Sequence, residues 1–96
     1  MASRKLLTPE EVAHHASATP HWQVVEGKKL KRTYSFPDFA SGLHLVNRVG
    51  EIAERQGHHP DIHLYWGKVE IEISTHDAGG LTELDFLLAN EINRVS

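Results

Sequence analysis

The 96-residue sequence contains no cysteine. That excludes disulfides and every thiolate metal site, and it agrees with a reducing cytosol, the expected location. No apolar run approaches the roughly 20 residues that a membrane-spanning helix needs, so no membrane partner is expected. The opening Met1-Ala2-Ser3-Arg4-Lys5-Leu6-Leu7 is too short in apolar residues for a signal peptide, and Ala2 does not fit the myristoylation pattern. Positive charge is not in excess either. A formal net charge of -3 argues against a nucleic-acid binder held by phosphate contacts. There is no internal repeat and no low-complexity tract. The length suits one domain, residues 1–96, with a modest core.

Histidine is what the sequence has in number: eight residues. Two of them adjoin in Glu54-Arg55-Gln56-Gly57-His58-His59-Pro60, and His76 follows after a hairpin. Imidazole titrates near pH ~6.5, so it gives or takes a proton at cellular pH with little tuning. His58, His59 and His76 are the candidate acid/base residues of one shallow site.

Local signals place these residues on a fold. Leu7-Thr8-Pro9-Glu10-Glu11-Val12 carries an N-cap, a proline at the first helical position, a capping box through Glu11 and a Leu7–Val12 staple. This helix should end before Pro20, with His14 and His15 solvated on it. Trp22–Val25 and Leu30–Phe36 read as a hairpin around Glu26-Gly27-Lys28. Lys28, Lys29, Lys31 and Arg32 then form a solvated edge that discourages strand pairing, or else a site for an anionic partner.

The longest helical pattern runs from Ser35 to Gln56, with Ser35 and Asp38 resembling a capping box and Gly57 a left-handed C-cap. One stripe holds Phe39, Leu43, Val46, Gly50 and Ala53; a second holds Leu45, Val49 and Ile52. Together they exceed what one sheet contact requires, and the excess could meet another helix or another subunit. Asp61–Trp66 is a strand with Ile62, Leu64 and Trp66 on one face. Gly67-Lys68 fits a two-residue hairpin loop. Val69–Thr75 alternates cleanly, with Val69, Ile71, Ile73 and Thr75 inward, and His76 at the strand's rim. After Gly79-Gly80 a last helix opens with Thr82 as N-cap, Asp85 as capping-box partner and Leu81–Phe86 as staple. Leu84, Leu88, Ile92 and Val95 are read as inward. The expected fold class is α+β: a two-layer sandwich of a four-stranded antiparallel sheet with three helices on one face, in the order α-β-β-α-β-β-α.

Glu54-x3-His58-His59-Pro60, then Trp66, His76 and Asp85 at fixed spacing, resembles the signature of the pterin-4a-carbinolamine dehydratases. Leu7-Thr8-Pro9-Glu10-Glu11, Trp22, Phe36-Pro37-Asp38-Phe39 and Ser74-Thr75-His76-Asp77-Ala78-Gly79-Gly80-Leu81-Thr82 extend the resemblance over nearly the whole chain. It implies a lyase, without metal or organic cofactor, that dehydrates 4a-hydroxytetrahydrobiopterin to quinonoid dihydropterin in tetrahydropterin recycling. It also implies a homodimer or homotetramer. By this carry-over His58 and His76 flank the carbinol carbon as acid/base residues and His59 holds the pterin. Glu54, Trp66, Thr75 and Asp85 are expected at the substrate site.

Three of these have a plainer reading. Asp85 has a sufficient reason in the capping box, Trp66 in core packing, and Glu54 in facing water or orienting an imidazole. His63 reads as a solvent-facing strand residue. Two other function classes compete: a zinc site from His59, His63 and His76 with a carboxylate, and a non-catalytic dimerisation module on the same fold.

Overall fold

The computed structural model describes residues 3–96; the readings that involve Met1 and Ala2 lie outside the described residues. The elements are α1 (Pro9–Ser17), β1 (Gln23–Val25), β2 (Lys29–Ser35), α2 (Phe39–Gln56), β3 (Asp61–Tyr65), β4 (Lys68–Ile73) and α3 (Glu83–Val95). A 3₁₀ turn, His76–Ala78, lies between β4 and α3. The strands form one antiparallel sheet in the order β1-β2-β4-β3, which is the α+β arrangement expected. No helix among the described residues is long and apolar enough to cross a membrane.

The central strand β4 shows why the sheet has two unlike faces. Val69, Ile71 and Ile73 are fully buried under the helices, together with Leu30 of β2. Glu70 and Glu72 point the other way and meet Lys31, Lys68 and Lys29. The expected basic cluster is therefore divided. Lys29 and Lys31 join this wet face, whereas Arg32 lies over the Tyr34 ring at 4.2 Å and donates to Asn93 at 2.6 Å. Asn93 Oδ1 also accepts from the indole of buried Trp22 at 2.9 Å.

The helix entries follow their caps. At α1, Thr8 accepts from the Glu11 amide and Glu11 returns the bond to Thr8 N–H. At α2 the cap is Asp38 alone, accepting from Ser41 N–H at 2.8 Å. Ser35 instead ends β2, because Phe36 precedes Pro37 and is held away from helical geometry. Of the two α2 stripes, Leu45, Val49, Ile52 and Ala53 reach the core, while Phe39 and Leu43 stay exposed. In α3 the buried set is Asp85, Phe86, Leu88, Ala89 and Ile92. The helix is rotated from the expected face, leaving Leu84 and Val95 half-buried. His14 is exposed as read, but His15 is half-buried, its ring stacked on Phe86 with centroids 5.1 Å apart.

Two turns differ from the sequence reading. Tyr65 pairs with Lys68, so the β3–β4 loop is Trp66-Gly67 rather than Gly67-Lys68. Strand β4 stops at Ile73, and Thr75 is joined only by an isolated bridge to Gly80. His76 therefore stands on the 3₁₀ turn, just beyond the sheet.

Candidate active site

The end of α2 delivers the first histidine. Gly57 takes the left-handed conformation, φ 67°, where a side chain would be strained. The Gly57 and His58 amides both return to the Ala53 carbonyl, closing the helix in a Schellman-type cap. His58 is thereby turned back against the sheet and buried, at 7% exposure.

Its imidazole is held from one side. His58 Nε2 lies 2.6 Å from Asp85 Oδ1. Asp85 is fully buried in the first turn of α3, and its other oxygen accepts from Thr82 N–H at 2.8 Å and Thr75 Oγ1–H at 2.9 Å. Thr75 and Thr82 hydroxyls are also bonded to each other, at 2.9 Å. A carboxylate only accepts, so Nε2 must carry the hydrogen, and the free lone pair or proton of His58 resides on Nδ1. Among the described residues Nδ1 has no bonding partner, and no buried side-chain nitrogen or oxygen lacks one. Nδ1 therefore opens to the surface.

His59 follows, exposed, with Nε2 hydrogen-bonded to the exposed Glu54 carboxylate. Glu54 thus orients His59 rather than His58. His76 is exposed on the loop Thr75–Gly80, which the Thr75 amide and the Gly80 carbonyl close at 3.0 Å. It lines a depression of about 260 Å³ with Lys28, Lys29, Ser74, Thr75, Gly79 and Gly80. Lysines from the β1–β2 turn thus share its solvent. The next residue, Asp77, takes a two-pronged ion pair from Arg4 at 2.9 and 3.0 Å. Those hydrogen bonds hold the Asp77 carboxyl below its ordinary range, helped by the charges of Arg4 and His58. Asp77 therefore supports this turn above the usual carboxylate range and releases it as pH falls through its lowered value.

The structure thus joins His58, Thr75 and Asp85 into one bonded group. It sets His76 one residue from Thr75 and pairs His59 with Glu54 at the same end of the sheet. Asp85 and Thr75 are both buried: Asp85 is turned inward onto His58, while Thr75 bonds Asp85 and also borders the depression that His76 lines. Thr82 belongs to this group too, and the capping box that marked it as a helix start gave no sign of that second role. Trp66 stands apart. It is 69% exposed on the β3–β4 loop, a strand length of about 17 Å from Asp61, and neither packs in the core nor meets the histidines within one chain. The alternative zinc set is not assembled, because no group of three or more metal-ligating side chains comes together among the described residues.

A buried carboxylate fixing an imidazole whose far nitrogen is open, with a second imidazole nearby, is suited to moving protons to and from a bound molecule. Comparison with known proteins identifies a family. Residues 5–95 match the model of the family described as pterin 4 alpha carbinolamine dehydratase. A curated protein of Rubrobacter xylanophilus, provisionally named pterin-4-alpha-carbinolamine dehydratase, is 46% identical over 93% of this chain and 83% of its own length. Among solved structures, a transcriptional coactivator/pterin dehydratase from Brucella melitensis superposes with a TM-score of 0.86 at 30% identity, covering 93% of this chain and 96% of that one. A pterin dehydratase-like protein identified as a RuBisCO assembly factor in the alpha-carboxysome shares the fold, with a TM-score of 0.61 at 19% identity over 77% of this chain and 84% of its own.

Proposed function

The chain belongs to the pterin 4 alpha carbinolamine dehydratase family, and we propose that it dehydrates 4a-hydroxytetrahydrobiopterin or a close pterin analogue in tetrahydropterin recycling. The C4a–O bond breaks as an imidazolium protonates the leaving hydroxyl, which departs as water. A neutral imidazole takes the N5 proton, and the C4a=N5 bond of the quinonoid dihydropterin forms. The reaction balances without redox change, and the reading assigns it no cofactor. His58 and His76 are the acid/base pair, and His59, oriented by Glu54, holds the pterin. Asp85, Thr75 and Thr82 position His58. The single observation that carries this reading is the His58 imidazole anchored by buried Asp85 with Nδ1 left open.

The test is to generate the carbinolamine with an aromatic amino-acid hydroxylase and follow quinonoid dihydropterin by absorbance. Acceleration over buffer is expected, declining as pH drops through the imidazole range near ~6.5. No acceleration would leave the non-catalytic dimerisation module as the better reading, and a pH-independent rate would remove histidine as the base.

The exposed outer stripe of α2, with Phe39 at 44% and Leu43 at 41% exposure, supports the homodimer or homotetramer also proposed here. An apolar patch of this kind is ordinarily covered. Leu43→Glu should shift the sedimentation coefficient from oligomer toward monomer. A wild-type protein that is already monomeric at micromolar concentration would rule the assembly out.

A further inference from the structure

The segment before α1 runs as a strap along the His76–Ala78 turn and the start of α3. Leu7 N–H bonds the Leu81 carbonyl at 2.9 Å, and Ser3 N–H reaches Glu83 at 3.2 Å. Leu6 lies against the closed His76 loop, so near that a Cβ built on Gly80 would sit 3.0 Å from its methyl. Between these contacts Arg4 grips Asp77 with both prongs of its guanidinium. An exposed ion pair adds little to stability, so its place on the residue that follows His76 is the more informative fact.

We propose that Arg4 is a positioning residue of the reaction: its pair with Asp77 pins the His76 turn and screens a carboxylate charge from the two acid/base imidazoles. The inference rests on the dehydratase reading above. Asp77 follows His76 directly, and the charge of His58 is among the influences that lower the Asp77 carboxyl. The interaction is mutual, so an unscreened Asp77 favours the imidazolium form. The other charged groups around the pair differ in effect. Lys28 and Lys29 line the depression with His76 and oppose protonation. Asp85 from α3 is bonded to His58 and favours it. Glu83 lies at the start of α3 and accepts from the strap, and His59 with Glu54 adjoins His58 on the α2 side. Of these groups only Arg4 bonds Asp77, and its guanidinium bonds none of the others.

The experiment is the pH dependence of kcat/KM for Arg4→Met and for the double variant Arg4→Met/Asp77→Asn, beside wild type. In the single variant the acid limb should move up by about half a pH unit, the size expected of one partly solvated unit charge several ångströms away. In the double variant it should return to the wild-type position or pass below it. A merely structural clamp is broken equally in both variants and predicts no return. An unmoved limb in Arg4→Met, or a double variant displaced as far as the single one, overturns the proposal. Arg4→Gln serves as a second single variant should Arg4→Met fold poorly. The imidazole C2-proton signals of His58 and His76, identified by their loss in His58→Gln and His76→Gln, are titrated by NMR in the same proteins. They should show the same displacement and return without any turnover. Failure of the NMR pattern sinks the clamp alone. Failure of wild type to dehydrate the substrate sinks the function while the NMR result stands.

Discussion

Dehydration by His76→Ala and by His58→Ala should each fall by about 10²–10⁴-fold in kcat/KM, the value of one positioned proton transfer, and the double variant should reach the buffer rate. The two single variants are expected to differ in stability. His76 is exposed and forms no side-chain hydrogen bond with the described residues, so its truncation should leave the urea midpoint within error of wild type. His58 donates to a carboxylate with no access to solvent. Removing it strands Asp85 Oδ1 and should cost about 1–3 kcal/mol. Kinetics and urea unfolding on the same preparations check both statements. A His76→Ala protein that turns over at the wild-type rate would remove that residue from the mechanism.

The largest loss of stability is expected at Asp85. Three donors converge on this carboxylate: His58 Nε2, Thr75 Oγ1 and Thr82 N–H. Asp85→Ala leaves all three facing an apolar void and deletes the capping box of α3. A loss of about 3–5 kcal/mol follows, a large share of the roughly 5–15 kcal/mol that holds a domain together. Asp85→Asn is the informative companion. Its amide oxygen can still accept from Thr82 and Thr75, while its NH₂ turns toward His58 Nε2. That nitrogen must then become the acceptor, which moves the ring hydrogen to Nδ1, the nitrogen proposed to face the substrate. The Asn variant should retain most of the stability and lose most of the turnover. Equal kcat/KM for Asp85→Asn and wild type would show that the tautomer of His58 does not matter to the reaction.

Much of this architecture could be read from local signals, because they are short-range and repeat known geometry. Thr8–Glu11 and Thr82–Asp85 announced two helices, Gly57 ended a third, and the alternation from Val69 to Ile73 named the central strand. Structure departs from these signals where tertiary packing decides between two local options. Both stripes of α2 are apolar, and only the sheet selects Leu45, Val49 and Ile52 over Phe39 and Leu43. Trp66 has the parity of a core residue, yet the hairpin register puts it in the loop. At the site the histidines were legible as a group because imidazole pairs are costly to bury without purpose. The capping box explained Asp85 fully and so concealed its second bond, to His58. The pairing of Arg4 with Asp77 has no sequence signal, since an ion pair 73 residues apart leaves no periodicity.

The joint from Ala53 to Pro60 has a consequence for what the chain can tolerate over evolutionary change. One of the two amides that close the final turn of α2 is that of His58 itself, so the stop of the helix and the aim of the ring are tied together. A single added or deleted residue within α2 would swing everything after it by about 100° around the helix axis, carrying the imidazole away from α3. Substitutions can accumulate on the solvated side of this segment, but its length is not free to drift.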